Sequence, residues 1–111
     1  EDALGKDIGP SVRRAAARGL GELRFAALEA ADRQPVAERC LQALVDGCRD
    51  GEWVVRYAVT VGLEALSPAL EAADAQQRLR QALQVLGGDP AEEAPVVQLR
   101  ARLALRRLGE G

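Results

Sequence analysis

Trp53, Tyr57, Thr60 and Glu64 follow one another at intervals of four, three and four, the spacing that brings side chains to one side of an α-helix. Two aromatic faces with polar tips on one helix side suit stacking against a planar ligand or a partner helix. Tyr57 and Glu64 add a phenol and a carboxylate, weak candidates for moving a proton. Arg56 lies at the border of this face, and Arg13 holds the same place one repeat earlier, with Gln98 third. Such arginines could contact carboxylates or phosphates. They could instead form a structural ladder, each pairing with the acid at a neighbouring helix start. Asp50 is the obvious partner, and the ladder is the favoured reading. The chain has no His, which removes Ser-His-Asp and Cys-His catalysis and most zinc sites. Cys40 and Cys48 lie about 12 Å apart along one helix, too far for a disulfide, and read as small semi-buried apolar residues. No glycine-rich phosphate loop and no acid/base carboxylate pair stands out.

These residues need a helix to hold them, and Asp50–Leu66 reads as one. With about 100° per residue, Val55, Ala58, Val59, Gly62, Leu63 and Leu66 form one apolar stripe, widened by Val54, Val61 and Ala65. The aromatics point away from it. The helix has copies. Val12, Ala16, Gly19, Leu20 and Leu23 precede Val55, Val59, Gly62, Leu63 and Leu66 by 43 residues, and Val97, Ala101, Ala104, Leu105 and Leu108 follow them by 42. The third position is Gly, Gly and Ala, small enough for two helices to approach closely. Asp7, Asp50 and Glu92 stand five residues before each aligned Val, suiting the positive end of a helix.

Between these B helices lies a second repeating helix, A. ALEAAD occurs at 27–32 and again at 69–74, and Ala37, Cys40, Leu41 and Leu44 match Leu79, Ala82, Leu83 and Leu86 at the same offset of 42. Prolines and glycines punctuate the pattern. The expected helices are about 10–24, 34–48, 52–66, 68–87 and 94–108, with residues 1–6 as the tail of an earlier A helix. A helix pair of 42–43 residues has the size of a HEAT or armadillo unit, which closes its core only by stacking. The expected fold is all-α: a right-handed α-solenoid of about two and a half HEAT-like repeats, a single domain over residues 1–111 cut from a longer solenoid.

In such stacks the second helices line the concave surface. Trp53, Tyr57, Thr60 and Glu64 would then face a groove flanked by Arg14 and Ala17 on one side and by Leu99, Arg102 and Arg106 on the other. Arg100 replaces Ala15 and Ala58 of the other copies, as fits a last repeat whose flank meets water. The cluster Arg100, Arg102, Arg106 and Arg107 reads as a solvated end face. A formal net charge of −2 argues against a nucleic-acid partner, and no apolar run is long enough to span a membrane.

The run DGEWVVRYAVTVGLEAL at 50–66, echoed by PSVRRAAARGLGEL at 10–23, resembles the HEAT-like repeat of phycobilisome (bilin) lyases, related to the E and F subunits of phycocyanin lyase. The resemblance covers nearly the whole chain. Its specific part is Trp53–Ala58 and the run from Gly62. It implies a carbon-sulfur lyase or lyase-isomerase that attaches an open-chain tetrapyrrole, of phycocyanobilin or phycoerythrobilin type, to a phycobiliprotein cysteine. The bilin is then substrate, with no tightly bound cofactor. It would lie in the groove against Trp53 and Tyr57, its propionates near arginines, with Thr60, Arg56, Arg14 and Arg102 as further contacts. The implied partners are a phycobiliprotein subunit and a second lyase subunit, in the cyanobacterial cytosol. The alternative is a non-catalytic HEAT scaffold whose concave face grips a partner helix.

Overall fold

The computed structural model describes residues 9–21, 28–88 and 92–109. Five α-helices follow one another: α1 (Pro10–Gly21), α2 (Ala30–Gly47), α3 (Trp53–Leu66), α4 (Ala73–Leu86) and α5 (Pro95–Arg107). There is no strand among the described residues. The B helices α1, α3 and α5 pack side by side in one layer, and α2 and α4 pack behind them in a second. This is the HEAT-like solenoid expected from the repeat. The slab measures 40 × 36 × 17 Å, and its thin direction is about two helices deep. None of the described helices is long and apolar enough to cross a membrane.

The repeat pattern accounts for the core. Leu41 and Leu44 of α2, Val55, Val59, Leu63 and Leu66 of α3, Leu79 and Leu83 of α4 and Val97 of α5 are fully buried. Each full burial of such a side chain contributes roughly 1.5–3 kcal/mol. At the crossing of α1 and α3 the chain needs a glycine. A Cβ on Gly62 would stand 2.5 Å from the carbonyl oxygen of Ala17. Gly19, at the same repeat position, faces nothing within 4 Å, so closeness there is not what it provides. Val12 departs likewise. Its counterparts Val55 and Val97 are fully buried, whereas Val12 is 53% exposed. Val55 and Val97 each have a preceding helix pair over them, and among the described residues no helix precedes α1.

Two A-helix boundaries differ from the sequence reading. Helix α2 starts at Ala30, five residues before Pro35, and runs through it. Pro35 and Ala31 are exposed, so water can serve the Ala31 carbonyl that Pro35 cannot reach. The helix expected from 68 is instead a 3-10 turn, Ser67–Ala69, then an extended Leu70, then α4 from Ala73. Side chains replace the missing helical bonds. The Gln76 amide donates to the carbonyls of Ser67 and Leu70, both at 2.7 Å. Gln34 donates to the Ala69 carbonyl and accepts from the Glu71 N–H, at 2.8 and 3.1 Å. Gln34 and Gln76 are equivalent positions of the two A helices, a match that the apolar pattern does not reveal. In the first B helix, residues 22–24 of the expected span lie outside the described residues, as do Asp7 and Leu23.

Candidate functional site

Trp53 opens α3 and Tyr57 follows one turn on. Together with Val54, Arg14 of α1 and Val96 of α5 they line a shallow groove of about 270 Å³. All three B helices therefore contribute to it. Trp53 is 49% exposed and Val96 45%, an open apolar surface with one cation at its edge. This is the expected neighbourhood of Trp53, Tyr57 and Arg14. Val96 went unnoticed in the sequence, since beside Val97 it looks like a second core residue. Val54, whose helical angle puts it on the flank of the core stripe, lines the groove instead.

Three of the expected contacts are engaged elsewhere. Thr60 is fully buried, and its hydroxyl donates to the Tyr57 carbonyl at 2.5 Å. It therefore bonds back within its own helix and does not face a ligand. Arg102 donates through Nε to the Gly87 carbonyl at 2.8 Å, which satisfies the C-terminal end of α4. Arg56 is held on both sides: its guanidinium donates to Glu92 Oε1 and Oε2 at 2.7 and 2.8 Å, and to the Asp50 carbonyl at 2.8 Å.

That last arrangement is the ladder. Arg13 donates to both carboxylate oxygens of Asp50, at 2.6 and 2.9 Å, as Arg56 does to Glu92 one repeat later. Each acid also accepts a backbone N–H at the start of its own B helix: Glu52 for Asp50 and Ala94 for Glu92, both at 2.9 Å. One carboxylate thus ties the preceding B helix to the turn that begins the next. Gln98, at the third repeat position, donates to the Glu92 carbonyl. The Arg13 hydrogen bonds hold the Asp50 carboxyl below its ordinary range, against some desolvation. Burial pushes Glu92 upward, and Arg56 with the Ala94 N–H outweighs it, so its carboxyl too lies below the usual value. These arginines are structural.

Glu64 is also paired. Arg100 approaches its carboxylate to 2.7 Å and Arg107 to 3.5 Å, and only 15% of the Arg100 side chain is exposed. Arg100 therefore turns inward to α3, contrary to the solvated flank expected of it, because Glu64 offers a charge partner there. Ala17, expected on the groove's edge, is fully buried at the α1–α3 crossing, and Leu99 is 65% exposed. Neither cysteine is set up as a nucleophile. Cys40 is buried, and burial pushes the Cys48 thiol up to about 12. What remains open is a stacking surface with Arg14 at its edge and no activated nucleophile, an arrangement that binds and orients.

No family model matches the chain. It is 48% identical over 108 residues to a bilin biosynthesis protein, RpcF, of Synechococcus sp. strain WH8020, covering 97% of this chain and 49% of that protein. A phycocyanobilin lyase subunit beta of Nostoc sp. strain PCC 7120 is 40% identical over 104 residues, with 94% of this chain and 48% of the relative covered. Among solved structures, a chain in the complex of CpcE and CpcF of phycocyanin lyase from Nostoc sp. PCC7120 matches with a TM-score of 0.78 and 39% identity, over 93% of this chain and 58% of that one. The chain spans about half the length of the curated relatives it matches.

Proposed function

Because the chain belongs to the phycobilisome lyase family, we propose that it is the part of a bilin lyase that holds an open-chain tetrapyrrole for attachment to a phycobiliprotein cysteine. One observation carries the reading: exposed Trp53 and Val96, with half-buried Tyr57 and Val54, form an open apolar face on the B-helix layer, while Val55, Val59, Leu63 and Leu66 of α3 are fully buried. A flat conjugated molecule gains most from such a face, since stacking needs area and orientation rather than a reactive group.

The chemistry falls to the partners. The acceptor's cysteine thiolate adds to the exocyclic double bond of the bilin, a C–S bond forms, and the electron pair released along the conjugated system takes up a proton. No oxidant or reductant enters. This suits a groove without His and with neither cysteine in its lining. Tyr57 is the phenol nearest the stacked ring and the first candidate for that proton. Glu64, held by two arginines, is the weaker one. Phycocyanobilin or a close relative is the bilin. A phycobiliprotein subunit and a second lyase subunit are the partners, the latter in keeping with the two-subunit complex to which the structural match belongs. The residues of this chain form one section of a longer solenoid, and the setting is the cyanobacterial cytosol.

The test is transfer. Phycocyanobilin and an apo-phycobiliprotein subunit are incubated with and without the chain, and bilin colour that survives denaturation of the acceptor is followed with time. Attachment should run at least about tenfold faster with the chain, alone or carried in its full-length protein, than with bilin and acceptor only. Equal rates in all arms would refute the proposal.

A further inference from the structure

The stacking surface continues along the helices into a charged end. On α3, Glu64 lies eleven residues beyond Trp53, within about 20° of the same side and some 16 Å along the axis. On α5, Arg100 and Arg107 stand four and eleven residues beyond Val96, again on one side. The two stripes face each other, since Val96 shares the groove with Trp53 and both arginines meet Glu64. They form a trough that is apolar at the helix starts and ionic at the helix ends.

The ionic end has more positive charge than Glu64 neutralises. Two guanidinium groups share one carboxylate. The closest approach, Arg100 Nη2 to Glu64 Oε1, is a charge contact without hydrogen-bond alignment. Glu64 Oε1 and Arg100 Nη1 are buried with no hydrogen-bond partner among the described residues. A buried donor left unmade is costly, and a ligand carboxylate would accept from Arg100 Nη1. Arg107 is 57% exposed and reaches Glu64 only at 3.5 Å, so it can turn to a ligand at little cost. Arg56 and Arg102, by contrast, are already committed to Glu92 and Gly87.

We propose that Arg100 and Arg107 form a carboxylate clamp at the C-terminal end of this trough, with Glu64 as the internal anion that holds it before a ligand arrives. The ligand is an elongated, planar, apolar molecule carrying a carboxylate beyond the part that stacks on Trp53. The proposal rests on the bilin reading above and assigns it the group that fixes the ligand's direction along the groove.

Phycocyanobilin, a dicarboxylic acid, and its dimethyl ester serve as probes against the full 111-residue chain, with Trp53 emission as the readout. The free acid should bind about tenfold more tightly than the ester. Arg107→Gln should shrink that preference about threefold, and Arg100→Met together with Arg107→Gln should abolish it. Glu64→Gln, which releases both arginines, should widen it. Circular dichroism checks the fold, and the exposed Arg107 change keeps the test valid if Arg100→Met unfolds. An acid preference that is absent, or that Arg107→Gln leaves unchanged, overturns the clamp while the stacking site stands. Failure of both probes to quench Trp53 overturns the stacking site as well.

Discussion

Arg56 shows how much of a residue's role depends on what the chain places opposite it. As a sequence feature it was at once an anion contact and a ladder rung, and its type cannot separate the two. Glu92 decides the matter, because a carboxylate that is 2% exposed must be paired. Arg56→Met should therefore cost about 3 kcal/mol, measured by urea unfolding, since it strands a buried carboxylate. The pH dependence should change with it. Asp50 and Glu92 have depressed pKa values in the fold, so their pairing contributes fully above the unfolded range near 4 and is lost as pH falls through the lower folded values. The parent's melting temperature should thus drop below about pH 4. In Arg56→Met the Glu92 carboxyl is left with burial as its main influence and its pKa rises. Acidification from neutral pH should then lessen the cost of the change. The aromatics were legible because they depart from the repeat. Thr60 was misread because helical angle alone cannot tell a groove from a buried seam on its border.

At the scale of elements, the apolar period located the B helices well and the A helices less so. A B helix carries its own stripe between clear stops, and α3 and α5 begin at Trp53 and Pro95, within a residue of the expected starts. Helix α4 begins only after a segment where side-chain amides replace backbone bonds, and hydropathy does not register that. Gln34 and Gln76 both brace this segment, and the apolar period does not mark either of them. The α1–α3 crossing was legible through Gly62. Gly62→Ala forces a Cβ against the Ala17 carbonyl, so it should destabilise by about 2 kcal/mol even though Ala is the better helix former. Thermal melts would show this. A rise in melting temperature would mean that the two helices separate without penalty.

Across the whole molecule, repetition makes stability and function separable. The ladder of Arg13 with Asp50 and Arg56 with Glu92 ties successive B helices together from one edge. The departures from the repeat on α3, Trp53 and Tyr57, gather with Val96 of α5 on the open face of that layer, and Arg100, a departure on α5, turns inward to Glu64. A solenoid can vary this face freely, since each repeat's core is closed by its neighbours and not by the groove. The central claim, that the groove takes an open-chain tetrapyrrole, is tested most directly by titrating phycocyanobilin into the chain and following the emission of Trp53, its sole tryptophan. Saturable quenching is expected in the micromolar range, weakened at least about fivefold by Tyr57→Ala with helical content unchanged. Quenching that never saturates, or that Tyr57→Ala leaves where it was, would contradict the account.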